Sequence, residues 1–179
     1  MDSLEVIARP HFDKADLAWL TDIRSRRAGS RGAPYFTLVF SGAGLDAKAF
    51  SAKIRQYAEP FPRVRFRLRS ALVVREQAVS RYHVFLVPDE GFSAILKLHD
   101  ALHAGPLEAA LRPDSPYLPH ITVATTADYT SARKLAFALN HGGIDIHGHL
   151  DALQIERRED EVIKLVAEVP LAKSWFGGS

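Results

Sequence analysis

The chain has 179 residues, with 23 Lys plus Arg against 21 Asp plus Glu for a formal charge of +2, and 47% apolar against 25% charged residues. That mixture suits one compact domain or two small lobes and excludes extensive disorder and low complexity, and the near-zero charge weighs against a non-specific coat for nucleic acid. With no cysteine there is no disulfide scaffold, thiol nucleophile or cysteine zinc site.

The longest run without Asp, Glu, Lys or Arg lies between Arg31 and Asp46 and has 14 residues, short of the roughly 20 that a membrane helix needs. Residues 1–5 lack the basic start and apolar core of a signal peptide, so a cytoplasmic protein without a membrane partner is expected.

Residues 13–26 read as a helix capped by Asp13, with Ala15, Trp19, Leu20 and Ile23 on one face. The basic, glycine-containing stretch 24–32 reads as a loop. Residues 35–40 are dense in aromatic and β-branched side chains and read as a buried strand. Asp46 then caps a second helix, with Phe50, Ile54 and Tyr57 on its apolar side, stopped before Pro60.

From Arg63 the period becomes two, Val64, Phe66 and Leu68 alternating with Arg63, Arg65, Arg67 and Arg69. A further strand runs from Arg81 to Pro88, and a third helix carries Phe92, Ile95, Leu98 and Leu102. A Pro-rich segment, 112–119, leads into a strand at 120–125. A fourth helix (Ala132 to Leu139) stops at residues 140–143. Residues 144–155 and 162–169 read as a hairpin around a charged turn. Interleaved helices with adjacent strand pairs favour an α+β fold.

An internal repeat links the two halves. Residues 34–39, Pro-Tyr-Phe-Thr-Leu-Val, can be laid on residues 119–124, Pro-His-Ile-Thr-Val-Ala. Because strand side chains alternate, Tyr35 and Thr37 share one face, as do His120 and Thr122, while Phe36 and Ile121 point to the core. Each half would offer one ring and one hydroxyl to a shared cleft. An imidazole can move a proton near neutral pH, and a threonine hydroxyl can hold a phosphate oxygen.

The Pro-His-x-Thr strand, its counterpart 85 residues earlier and the order of elements resemble the two-histidine (2H) phosphoesterase superfamily of 2′-5′ RNA ligases and RNA 2′,3′-cyclic phosphodiesterases. The resemblance implies one bilobal α+β domain over residues 1–179, with two antiparallel-rich sheets facing a cleft, helices outside, and motif strands 34–40 and 119–125 as pseudo-symmetric partners. It implies catalytic residues at positions 120 and 35, phosphate held by Thr37 and Thr122, an RNA end or small cyclic nucleotide as ligand, and no metal or organic cofactor.

Tyr35 stands where the resembled family has its other histidine. A phenol of pKa about 10 donates a proton readily but is a poor base at pH 7. The expected function is therefore acid–base hydrolysis of a cyclic phosphate, with an inactive RNA- or nucleotide-binding module of the same fold as the alternative. By proton inventory, an imidazole at position 35 would restore a matched acid–base pair.

Other features read more plainly. Residues 42–47 fit the Gly-x-Gly-x-x-Ala form of a dinucleotide fingerprint, but the next strand lacks an acidic residue for a ribose. The arginine row suits a solvated outer sheet face, with a phosphate or RNA surface as the other reading. His147 and His149 alternate with Asp145 and Asp151, but two neighbouring ligands do not make a full metal site, and a solvated edge strand is the plainer reading. His83 reads as a half-buried structural histidine that could reach the groove, and His99 and His103 as surface residues of the third helix.

Overall fold

In the computed structural model, residues 2–29, 32–41, 44–76, 79–111, 115–159 and 162–172 are described. Two fully antiparallel sheets form the bilobal α+β framework. The first joins β3 (Phe36–Val39), β1 (Asp2–Ala8), β8 (Ala152–Glu159) and β9 (Val162–Pro170) in the order β3-β1-β8-β9. The second joins β2 (His11–Phe12), β7 (Ile146–Leu150), β4 (Val64–Glu76), β5 (Arg81–Glu90) and β6 (Ile121–Thr126) in the order β2-β7-β4-β5-β6.

The strands β3, β4, β5 and β6 lie where their apolar patterns place them. Strand β1 was not expected: buried Leu4 and Val6 alternate with half-buried Ser3 and Glu5, but Ile7 and Ala8 are both buried and the period is lost. Residues 144–155 do not form one strand. β7 pairs with β4 in the second sheet, Asp151 breaks the run, and β8 pairs with β1 in the first. Only the β8–β9 hairpin matches the expectation, and its turn residues 160 and 161 lie outside the described residues.

Among the described residues four α-helices cover the sheets: α1 (Lys14–Ala28), α2 (Ala47–Ala58), α3 (Phe92–Leu102) and α4 (Tyr129–His141). Asp13, Asp46 and Asp128 each accept a backbone N–H of the first turn, which explains where α1, α2 and α4 begin. α1 runs on past Arg24 to a left-handed cap at Gly29, so the stretch from 24 is helix before it is loop.

The buried side of α1 is Leu20, Ile23 and Arg24; Ala15 is exposed and Trp19 is 37% exposed. This differs from the expected face because α1 packs along β6 through its C-terminal half, where an arginine stem takes an interior position.

One apolar core joins the two sheets. Phe36 of the first meets Phe66 of the second edge-on, with centroids 5.1 Å apart, and Phe12 packs on Phe66 in the same manner at 5.9 Å. The arginine row is exposed or half-buried and carries ion pairs. Arg67 binds Asp145 through two nitrogens at 2.5 Å, Arg69 pairs with Asp89 and Arg63 with Asp151. These carboxylates engage three of the four guanidinium groups that an RNA surface would use, those of Arg63, Arg67 and Arg69.

Candidate active site

β3 and β6 are edge strands, one of each sheet, and each motif lies at the entry to its strand. Phe36 and Ile121 are fully buried, which turns the neighbouring positions the other way. Tyr35, Thr37, His120 and Thr122 are half-buried and line one groove of about 300 Å³. The segment before β6 is also tied to β3, because the Tyr117 hydroxyl donates to the carbonyl of Thr37 at 3.0 Å.

Behind that tie, the Tyr117 ring lies flat on His99, with centroids 3.8 Å apart and planes 3° from parallel. His99 and His103 are therefore buried, not surface residues. His103 Nδ1 donates to the His99 carbonyl at 2.8 Å, and His99 Nδ1 meets Asp100 at 3.0 Å. Their helix turns its apolar-flanked side inward, which the i, i+4 spacing leaves open. Burial pushes the Tyr117 phenol up and the His99 imidazole down.

His120 is held at one nitrogen. Its Nδ1 lies 2.6 Å from the Leu118 carbonyl, and a carbonyl can only accept, so Nδ1 carries the proton and Nε2 is the basic atom. Phe85 stacks on the ring at 3.6 Å and 17°. Burial lowers the pKa of His120, the Leu118 carbonyl opposes that shift, and His83 adds to it. The resting state at neutral pH is a neutral imidazole with one lone pair.

Sequence reasoning left open or missed the rest of the groove. His83 lines it, with Nδ1 3.0 Å from Thr125 Oγ1 and Nε2 3.0 Å from Glu76, and it stacks on the other side of the row at Phe85. Arg24 reaches in from α1, donating to the Ala33 carbonyl at 3.0 Å and lying 5.2 Å from the Tyr35 ring centroid. Burial lowers its pKa, but a guanidinium starts high enough to stay charged.

Arg9 approaches the same ring at 5.7 Å and donates to the buried Glu156 at 2.8 Å. No local pattern marks these arginines; only an arginine on the apolar stripe of a helix hinted at Arg24. Of the other candidates, Gly42 and Ala43 of the glycine turn lie outside the described residues. His147 and His149 sit near the far edge of the second sheet, away from β6.

A neutral imidazole, a phenol flanked by two cations and two hydroxyls can accept a proton, donate one and hold an anion. No curated protein matches the sequence. Solved structures share the fold. A phosphoesterase matches with TM-score 0.61 at 10% identity, covering 97% of this chain and 100% of that one. LigT of E. coli complexed with 3′-AMP matches with TM-score 0.60 at 12% identity, covering 96% and 99%. Usb1 of Kluyveromyces marxianus with uridine monophosphate matches with TM-score 0.54 at 11% identity, covering 94% and 98%. The family model of the 2′-5′ RNA ligase superfamily matches residues 12–161, and the chain belongs to that superfamily.

Proposed function

We propose that the protein is a phosphoesterase that hydrolyses a 2′,3′-cyclic phosphate on an RNA end or small nucleotide, with His120 as base and Tyr35 as acid. The reading takes residues 1–179 as one domain with two pseudo-symmetric halves. The observation that carries it is the convergence of Tyr35, Thr37, His120 and Thr122 on one groove. The nucleotides named with the LigT and Usb1 structures support a nucleotide ligand.

His120 Nε2 takes a proton from water as the oxygen attacks phosphorus. The bond to one ribose oxygen breaks, and that oxygen takes the Tyr35 phenolic proton. The imidazolium then returns a proton to the phenolate, which restores both groups. Thr37 and Thr122 donate to the non-bridging oxygens, and Arg24 and Arg9 offset the charge that builds on phosphate and phenolate.

Hydrolysis of 2′,3′-cyclic nucleotides by wild type and His120→Ala tests this. A loss of about 10²–10⁴-fold in the variant is expected. The second reading, a binding module without turnover, is favoured by Tyr35 standing in place of a histidine. It predicts tight nucleotide binding with no hydrolysis in either protein.

A further inference from the structure

We infer that the protein binds a divalent first-row transition metal of the zinc class through His11 Nε2, His149 Nε2 and one carboxylate oxygen of Asp151, where the chain passes between its two sheets. The sequence places only His149 and Asp151 near each other. The third ligand comes from folding, because His11 of β2 is the cross-strand partner of His149 in β7.

Asp151 Oδ2 lies 3.5 Å from His11 Nε2 and 3.3 Å from His149 Nε2, and the three ligand atoms all lie within 4.8 Å of one another. A tetrahedral zinc with metal–ligand bonds of about 2.1 Å holds neighbouring ligand atoms about 3.4 Å apart. Two of the three separations already have that value. The imidazoles stack at 5.0 Å and 17°, and the His11 side chain is 63% exposed, so a turn of its ring closes the third.

The carboxylate is oriented for this role. Arg63 Nε lies 2.5 Å from Asp151 Oδ1 as an ion pair without hydrogen-bond alignment, Oδ2 is the oxygen nearest the imidazoles, and the Leu171 N–H fixes the backbone by donating to the Asp151 carbonyl at 2.8 Å. The adjacent guanidinium keeps the carboxylate ionised, as a ligand must be, and the tied backbone holds its position. A depression of about 490 Å³ beside His11 and His149 gives water and ions access. Two imidazoles with one carboxylate suit Zn²⁺, Ni²⁺, Co²⁺ or Cu²⁺ and disfavour Mg²⁺, which prefers oxygen ligands.

The position indicates what the metal does. His11 follows the passage from β1 to β2, and Asp151 is the passage from β7 to β8, so one ion would join both crossings between the sheets. β2 and β6 are opposite edges of a five-stranded sheet, four spacings of about 4.8 Å or about 19 Å apart, so the ion lies outside the groove and its place is to tie the two crossings, with water completing its coordination.

The test uses the full chain without a histidine tag, dialysed against chelator. Titration with ZnCl₂, followed by calorimetry and thermal unfolding, is expected to give one bound ion per chain and a Tm that rises with metal concentration. MgCl₂ is expected to give no rise, and CoCl₂ to give visible ligand-field absorption. His11→Ala and His149→Gln should each weaken Zn²⁺ binding at least tenfold, and His147→Ala should leave it unchanged. His11 is exposed, and the unchanged Tm of its metal-free variant will show that it folds. Absence of zinc binding in the wild type, or undiminished binding in His11→Ala, overturns the proposal.

Discussion

The guanidinium carbon of Arg24 stands 5.2 Å from the ring centroid of Tyr35, and that of Arg9 stands 5.7 Å from it. Two cations against one ring favour a neutral aromatic group through its negative face. They disfavour a protonated imidazole. The residue that departs from the two-histidine pattern therefore agrees with the charge around it, and a phenol can donate a proton without first being a cation.

Substitution at position 35 follows from that relationship. Tyr35→Phe keeps the ring between the arginines and removes the proton, so kcat for cyclic phosphate hydrolysis should fall about 10²-fold or more with KM changed little. Proton inventory alone would have Tyr35→His restore a matched pair, but the guanidinium groups reverse that expectation. A cation about 5 Å away at an effective dielectric of about 20 opposes protonation by about 3 kcal/mol, or about two pH units. Tyr35→His should be slower than wild type at pH 7.5 and recover only toward acid pH. A faster Tyr35→His at pH 7.5 would remove the phenol from its proposed role.

His120 should set the acid limb of the pH–rate profile. Burial holds its pKa below the usual value of about 6.5, so the basic form survives to lower pH than in a free imidazole. Activity should persist to lower pH than an imidazole of pKa about 6.5 allows and fall as pH drops through the lowered pKa. Profiles of kcat/KM for wild type and Phe85→Leu, which removes the stacked ring, provide the check. The variant should keep the limb with a lower plateau, and a wild-type limb centred above pH 6.5 would exclude His120 as base.

Buried His99 links stability to pH. Its pKa is lowered, chiefly by burial, so the unfolded chain binds the proton more tightly than the folded one. That contribution is fully present above the unfolded value of about 6.5 and is lost as pH falls through the folded value. Urea midpoints should decline between pH 7 and pH 5. His99→Phe, which retains a ring against Tyr117, should show a shallower decline, and an equal slope would mean that His99 does not carry the effect.

Gly91 provides a test of the fold apart from the site. It has φ 81° between β5 and α3, and a Cβ there would meet the Arg65 carbonyl and come within 2.7 Å of Phe66 Cβ. Gly91→Ala should cost at least about 2 kcal/mol from the left-handed conformation and the backbone clash together. Gly29→Ala, at φ 65° with nothing within 4 Å of the added carbon, should cost only the conformational part, about 1 kcal/mol. Chemical denaturation of the two variants measures the difference.

The alternation around Phe36 and Ile121 was legible in the sequence because strand stereochemistry is local: a buried residue turns its neighbours outward whatever covers it. The caps at Asp13 and Asp46 were legible for the same reason, since a carboxylate three residues before an N–H needs no distant partner.

Strand β1 was not legible, because its alternation of Ser3, Leu4, Glu5 and Val6 is only four residues long before Ile7 and Ala8 break the period at a register shift. The break at Asp151 was hidden too, since residues 144–155 carry strand character on both sides and only pairing with β4 or β1 assigns each part to its sheet. Tertiary structure alone decided that Arg24 and Arg9 meet Tyr35, that Phe85 meets His120 and that His11 meets Asp151. Periodicity records which side of an element is apolar, and the chain must close on itself before that side acquires a particular neighbour.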